Sequence, residues 1–372
     1  MKKRKILLVS CDGLGNGGVQ AVIMNIVRNL HDRYTIDILL FTKDNRYYDK
    51  EFESYGGKIF RCPHYSGDSE FQRRIDIYIR GMRIYRAAKK IFKENGPYDV
   101  VHCNNSFESC HILKAAFEEK VPIRIAHVHI AVNTQGHLVR TIFNKICGKM
   151  INKYATHRIG CSTAACESLF GGKVPFFVVN NPYDESLFNP IKYNTKHFNA
   201  PDLVQVASYS SNKNQLFTLK VLKNIKTVYP NAKLSFIGFS LDDAYLNDMK
   251  KYIKEHSLEN NVIFYEHDAD TPSIMSESSY FLLPSKREGF GIVLIEAQAM
   301  GLTCYVSDAV PTLANVGGCK YLSLDDGPRV WAERIISDFE KDKGAHHNYD
   351  CLAFTSENVA KIYDKLYRGE NI

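Results

Sequence analysis

The chain has 372 residues, 45% of them hydrophobic and 24% charged, with a formal net charge of +7. These proportions are typical of a globular protein and exclude a disordered chain, while the length suits two domains. No apolar run approaches the roughly 18 residues of a membrane span, and the run after the first lysines is too short for a signal peptide. A cytoplasmic location is therefore expected.

The ten cysteines of the chain form no Cys-x-x-Cys pair, and no histidine spacing completes a zinc site. Reduced and mostly buried thiols are expected, as in a reducing compartment. This pattern predicts no metal.

The chain opens with a predicted strand at 5–10, which a glycine-rich loop and a helix follow. Gly13, Gly15 and Gly18 spell G-x-G-x-x-G, so an NAD-dependent oxidoreductase is one interpretation. Against it, Ser10, Cys11 and Asp12 stand between the apolar run of the strand and the first glycine, whereas dehydrogenases place that glycine close to the strand. The acid expected after the second strand, at 34–41, has only Asp44 as a loose candidate.

A helical stretch near 47–55 precedes a long helical pattern from 71 to 93. Its apolar stripe recurs at helical spacing, at Phe71, Ile75, Tyr78, Met82, Tyr85 and Phe92. Around the stripe stand eight basic side chains against one acid, Asp76; they are Arg73, Arg74, Arg80, Arg83, Arg86, Lys89, Lys90 and Lys93. A solvated basic face is one interpretation. The other is contact with an anionic membrane surface or a lipid diphosphate, where each basic side chain contributes on the order of 1 kcal/mol.

Two histidines stand at the end of the predicted strand 122–129, which follows a strand at 98–102 and a helix at 107–119. His127 and His129 are two positions apart, so they point to the same face. A structural pair is one interpretation, and metal binding lacks a third ligand nearby. A second basic helix, 138–154, and a strand within 156–162 follow.

The second half repeats the alternation of strand and helix after a polar, linker-like run at 189–201. Strands are predicted at 203–208, 233–239, 280–283, 303–308 and 317–324, another within 261–270, and helices at 242–255, 292–300, 331–340 and 356–368. This alternation predicts an α/β protein with two doubly wound parallel sheets that face each other across a cleft. We place the N-terminal domain at 1–188 and the C-terminal domain at 189–355.

The stretch from 279 to 308 carries the most specific pattern. Strand 280–283 ends at a loop with Glu288, Gly289, Phe290 and Gly291, and the helix that begins at Ile292 follows. Loop amides at a helix N-terminus attract phosphate. Glu288 lies before this helix and Glu296 about two turns into it; their natural partners are the hydroxyls of a sugar or ribose edge.

The segment PSKREGFGIVLIEAQAMGL, with its two glutamates eight positions apart, resembles the signature of the family 4 retaining glycosyltransferases with the GT-B fold. The resemblance implies that Glu288 holds the donor hexose and Glu296 the ribose. It implies that the amides of Gly289, Phe290, Gly291 and Ile292 hold the diphosphate.

The same family suggests roles for other residues. Gly17 and Gly18, before the first helix, would let the backbone approach the donor phosphates or the acceptor. His129 would contact the donor sugar, with His127 as support, a pattern similar to that of exopolysaccharide transferases. The stretch VVNNPYDESLF, at 178–188, resembles the family's crossing between domains, with Pro182 in place of the usual glycine.

After strand 203–208 the family places an arginine and, five residues later, a lysine on the diphosphate. Here Lys213 and Asn214 are present, but Ser208 occupies the position of the arginine. One of the two phosphate cations is therefore missing.

The resemblance implies a retaining, metal-independent hexosyltransferase without a cofactor. Its donor would be a nucleotide sugar, with UDP expected, and its acceptor a lipid-linked or oligosaccharide substrate of surface polysaccharide or capsule assembly. Nucleic acid is not an expected partner. The last helix, within 356–372, would pack back on the first domain.

Three alternatives stay open. One is a GT-B protein that transfers nothing and acts as a glycan-binding or chaperone partner. The serine at position 208, where the family has an arginine, is compatible with this alternative. The others are the NAD-dependent oxidoreductase and a sugar-nucleotide epimerase, for which no acid and base pair is evident.

Overall fold

A computed structural model describes residues 3–10, 13–15, 17–63, 70–131, 138–193, 197–240, 243–266 and 268–370, with the backbone alone at 70–79 and 138–140. The chain divides into two units. The first comprises Met1–Pro182 together with Ser356–Ile372, and the second comprises Tyr183–Thr355.

The first unit is built on a parallel sheet. Among its described residues the strands are β1 (Arg4–Ser10), β2 (Tyr34–Leu40), β3 (Ile59–Arg61), β4 (Val100–Cys103), β5 (Ile123–Val128), β6 (His157–Gly160) and β7 (Phe177–Val178). The helices between them are α1 (Gly18–Leu30), α2 (Asp49–Ser54), α3 (Glu70–Asn95), α4 (Ser109–Glu118), α5 (Leu138–Tyr154) and α6 (Thr163–Phe170). The strand order is β3-β2-β1-β4-β5-β6-β7, with every neighbouring pair parallel. Strand numbers therefore rise outward from the centre on both sides, from β1 to β3 and from β4 to β7, and the direction of winding reverses between β1 and β4.

The second unit repeats this architecture with six strands in its described part. They are β8 (Asp202–Val206), β9 (Lys233–Ile237), β10 (Val262–Tyr265), β11 (Tyr280–Leu283), β12 (Thr303–Ser307) and β13 (Cys319–Leu322). The helices are α7 (Gln215–Lys226), α8 (Asp243–Glu255), α9 (Thr271–Ser276), α10 (Ile292–Ala299) and α11 (Gly327–Asp342), with 3₁₀ turns at Pro190–Lys192, Thr312–Ala314 and Leu352–Phe354. The order β10-β9-β8-β11-β12-β13 reverses between β8 and β11.

The central strands are apolar because helices cover both faces of each sheet. In β1 the run from Ile6 to Val9 is fully buried, and in β11 the run from Tyr280 to Leu283 is too. The prediction of two doubly wound parallel sheets is therefore confirmed. The strand predicted at 203–208 ends earlier, at Val206, and the helix predicted at 331–340 begins at Gly327.

The last helix, α12 (Ser356–Arg368), belongs to the first unit. Its residues Val359, Tyr363, Leu366 and Tyr367 are buried there, at the spacing of one helical face. Tyr34 fixes the helix, because its hydroxyl donates to the Asp364 carboxylate at 2.7 Å. Within the described part of the chain, no helix is both long enough and apolar enough to span a bilayer.

Candidate functional site

Two loops meet where the strand order of the second unit reverses. One follows β8 and leads to α7, and the other follows β11 and leads to α10. Backbone and side-chain hydrogen bonds tie them together: the Lys286 amide donates to the Asn212 carbonyl at 2.8 Å, and the Asn212 side chain donates to the Arg287 carbonyl at 3.0 Å. Open α/β sheets bind ligands at such a reversal, outside the carboxyl ends of the strands.

The two loops bring the predicted residues Lys213 and Glu288 into direct contact. The Lys213 ammonium pairs with Glu288 Oε1, and the buried Ser285 hydroxyl donates to the same oxygen at 3.0 Å. Both side chains are mostly removed from solvent, with relative exposures of 25% for Lys213 and 11% for Glu288. An ammonium and a carboxylate therefore stand side by side at this edge of the sheet.

Beside this pair lies the N-terminus of α10. Its N-cap is Gly291, whose φ of +81° lies in the left-handed region that glycine tolerates at low cost. The backbone N–H groups from 289 to 293 donate to no other residue in the described part of the chain. Open amides at a helix N-terminus provide donors and a partial positive charge for an anion.

Glu296 is the fifth residue of α10, so it lies little more than one turn into the helix, not about two turns as predicted. Its half-buried carboxyl has a pKa raised to about 7, first by burial and then by the nearby carboxylate of Asp184. Asp184 belongs to the crossing segment predicted from the sequence, and Asp184 Oδ1 accepts from the Ser186 amide at 3.0 Å. The raised pKa allows the Glu296 carboxyl to carry a proton near neutral pH, where it can donate or accept a hydrogen bond.

Ser208 and Asn214, the other two predicted residues near Lys213, contribute through their backbones to the start of α7. The Ser208 carbonyl accepts from the side chain of the buried Gln215 at 3.0 Å, which holds the loop onto α7. Asn214 is the N-cap of α7 and adopts the left-handed conformation with φ of +59°. Its side chain makes no capping hydrogen bond.

In the first unit, the helix α1 begins at Gly18, directly after Gly17. A Cβ on Gly17 would lie 2.6 Å from the side-chain oxygen of Gln20, whereas Gly18 has open space around it. These glycines follow β1, which adjoins the point where the strand order of this unit reverses.

The two predicted histidines lie in a buried row of imidazoles. His127 and His129 share one face, with ring centroids 3.8 Å apart, as the spacing predicted. His102 extends the row: its Nε2 lies 3.1 Å from His127 Nδ1, and its Nδ1 lies 2.8 Å from the Tyr367 hydroxyl. A continuous hydrogen-bonded path therefore runs from α12 to β5.

Asn104, just after β4, fixes His129. Its side-chain oxygen lies 3.0 Å from His129 Nε2, so this nitrogen carries the hydrogen and donates. Burial lowers the pKa of His129 to about 4 and that of His102 to about 3, which keeps both rings neutral at pH 7. His129 Nδ1 is then an acceptor without a partner in hydrogen-bond geometry in the described part of the chain, and the side chain of Asn181 lies close enough to act on the ring.

Comparison with protein families finds a match to "Glycosyl transferases group 1" over residues 191–345. Three relatives agree with it. The protein named as glycosyltransferase EpsF of Bacillus subtilis (strain 168) is 27% identical over 352 residues, 89% of this chain and 87% of that protein. The capsular polysaccharide biosynthesis glycosyltransferase CapH of Staphylococcus aureus is 25% identical over 94% of this chain and 96% of its own. An α-1,3-galactosyltransferase of Escherichia coli, named for UDP-Gal and α-D-GlcNAc-diphosphoundecaprenol, is 24% identical over 62% of each chain.

Among solved structures, Anabaena Alr3699/HepE in complex with UDP and glucose resembles this chain with a TM-score of 0.71. The match covers 98% of both chains at 17% sequence identity, which establishes a shared fold. The predicted GT-B architecture of two Rossmann-like domains is thereby confirmed.

Proposed function

Because this chain carries a glycosyl transferases group 1 domain and is a glycosyltransferase of polysaccharide biosynthesis, we propose that it transfers a hexose with retention of configuration. The donor is a nucleoside diphosphate sugar, with UDP as the expected nucleotide, and the acceptor is lipid-linked or a glycan. The observation that supports this most is the Lys213–Glu288 pair beside the open amides of residues 289–293.

In this proposal the diphosphate is bound by the amides at the start of α10 and by Lys213. The amides already point at the site, and Lys213 reaches the phosphates once the donor is bound, so together they stabilise the departing diphosphate without a metal ion. When the donor enters, Lys213 turns from Glu288 toward phosphate, and the released Glu288 carboxylate accepts hydroxyls of the hexose. Glu296 takes the ribose hydroxyls, and its proton returns to solvent as the carboxylate forms.

In the transfer step the bond between the anomeric carbon and the diphosphate oxygen breaks. The acceptor oxygen attacks from the same face and forms the new glycosidic bond. Its proton goes to the departing phosphate, so no carboxylate nucleophile is required. In the first unit, Asn104 holds the His129 ring in the tautomer whose Nδ1 can accept a sugar hydroxyl.

A panel of sugar nucleotides tests the proposal, because slow hydrolysis of one of them would report the donor and the activity together. We expect hydrolysis of one uridine nucleotide, release of a sugar with retained configuration in NMR spectra taken early, and thermal stabilisation by UDP. An inverted sugar would refute retention. Stabilisation by NAD and by no uridine nucleotide would favour the oxidoreductase, and binding of UDP without hydrolysis would favour the non-transferring partner.

We further propose that the first unit meets an anionic membrane surface, and the contacts of the described residues favour α5 over α3. On α3, Arg80 pairs with Glu108, and Lys89 pairs with Glu118 and Glu119. The side chains of Arg73 and Arg74 lie outside the described part. On α5, three apolar side chains are about half exposed: Ile142 at 51%, Phe143 at 49% and Ile146 at 53%. The same helix carries three exposed lysines, Lys145, Lys149 and Lys153. Apolar side chains with flanking lysines are typical of helices that lie on anionic bilayers.

Replacing all three apolar residues of this surface tests the contact. Ile142→Ser, Phe143→Ser and Ile146→Ser together should lower co-sedimentation with phosphatidylglycerol vesicles by roughly tenfold or more, because their burial in lipid is lost. Hydrolysis of the soluble donor should not change. The matched control is Val228→Ser, which replaces a similarly exposed residue of the second unit. Equal sedimentation of the triple variant and wild type would refute the assignment to α5.

A further inference from the structure

Three metal-ligand side chains come together on two helices of the first unit, and none of them is among the residues assigned to the donor site. Cys110 and His111 belong to α4, and Cys147 belongs to α5. One ligand atom from each lies within 4.8 Å of the other two. Zinc bonds of about 2.3 Å to sulfur and about 2.0–2.1 Å to nitrogen place tetrahedral donor atoms roughly 3.5–3.8 Å apart. A small inward movement of the side chains therefore gives the spacing of a zinc site.

The surroundings of the cluster suit a cation. Both cysteines are free thiols with almost no exposed surface, and the half-buried imidazole of His111 makes no hydrogen bond to another described residue. Glu108, which pairs with Arg80, is close enough for its carboxylate to act electrostatically on all three ligand residues. The two thiols hydrogen-bond each other, and the cations Arg80 and Lys114 act on His111 in the opposite sense to Glu108. A metal ion would take the place of the thiol protons that this hydrogen bond shares.

The backbone of α3 makes room for the imidazole. A Cβ on Gly81 would lie only 2.3 Å from His111 Nε2, so any larger residue there would displace the ring. Glycine inside a helix costs up to about 1 kcal/mol relative to alanine. The ring of His111 is therefore confined between α3 and α4, with little freedom to turn away from the two thiols.

We propose that Cys110, His111 and Cys147 bind a zinc ion that fastens α5 to α4. Two sulfur ligands and one imidazole suit zinc and exclude magnesium and calcium, which prefer oxygen. Water or a carboxylate supplies the fourth ligand, and the two thiols release their protons to solvent on binding. The ion would join α4 to the helix that exposes Ile142, Phe143 and Ile146.

Metal titration of the reduced, full-length chain without a histidine tag tests the proposal. We expect about one zinc ion per chain after dialysis, and a melting temperature that rises with added zinc sulfate because the ion binds the folded state. Cobalt in place of zinc should give the absorption band of thiolate-to-cobalt charge transfer. The variant Cys147→Ser should weaken zinc binding by at least about tenfold and remove most of that band.

Two further variants distinguish the loss of a zinc ligand from a general loss of folding. His111→Ala removes a ligand from a less buried position and should weaken zinc binding while the reduced thiols and the helical content remain. Cys166→Ser removes a buried thiol of α6 in the same unit and should bind zinc as the wild type does. Zinc binding that is absent in the wild type, or unchanged in both ligand variants, overturns the proposal. Neither result bears on hexose transfer, because no residue of the cluster belongs to the donor site.

Discussion

Replacing Lys213 with methionine is expected to lower kcat for transfer by roughly 10²–10³-fold, the range seen when one preorganised group that stabilises developing charge is removed. Methionine keeps the length of the side chain and loses the ammonium. Because the position that the family gives to arginine is occupied by Ser208, Lys213 is the one cation left of the predicted pair. UDP affinity should fall together with kcat, which isothermal titration can measure.

The matched control is Lys220→Met, on the same helix α7 at an exposed position. It removes an equal charge at a distance from the site and should leave both kcat and UDP affinity near the wild-type values. If Lys213→Met retained full kcat with correct folding, the diphosphate would have to be stabilised elsewhere, and the proposed role of the pair would be wrong.

Glu288→Gln is expected to lower kcat/KM by about 10²-fold or more, because the amide cannot accept the hydroxyls of the hexose as a carboxylate does. It should leave UDP affinity within a few-fold of the wild type, since UDP carries no hexose. The two variants therefore differ in one measurable respect: Lys213→Met weakens UDP binding and Glu288→Gln does not.

The control for this variant is Glu333→Gln, an exposed carboxylate of the same unit whose partner is Arg329. A loss of UDP affinity in Glu288→Gln as large as in Lys213→Met would place Glu288 in the structural support of the loop. Full hexose transfer by Glu288→Gln would exclude its role on the sugar.

The fold was predictable because its signal is local and repeated. Buried strands such as β11 are short apolar runs that end at a proline or glycine loop, and α12 shows its buried face directly in the spacing of Val359, Tyr363 and Leu366. The contact between Lys213 and Glu288 was not stated in advance. It depends on β8 and β11 being neighbours, which strand periodicity does not specify.

Contacts between residues far apart in the chain could not be predicted from the sequence. Asn104 follows β4 as an ordinary polar loop residue, and only the parallel pairing of β4 with β5 brings its amide to His129. Asp184 lies in the crossing segment, 112 positions before Glu296, so the sequence does not indicate that the two carboxyl groups are neighbours. Cys147 is 36 positions from His111, so no metal spacing could be recognised, and the packing of α5 on α4 is what unites them.

The return of α12 to the first unit has a consequence for synthesis on the ribosome. Residues 183–355 form a continuous segment, so the second unit has all of its sequence before the chain is finished. The first unit lacks Tyr363 and Tyr367, and with them the hydroxyl that His102 contacts, until the helix α12 has been synthesised. The first unit is therefore completed after the second, and a chain truncated after Thr355 lacks the tyrosine hydroxyl that His102 contacts.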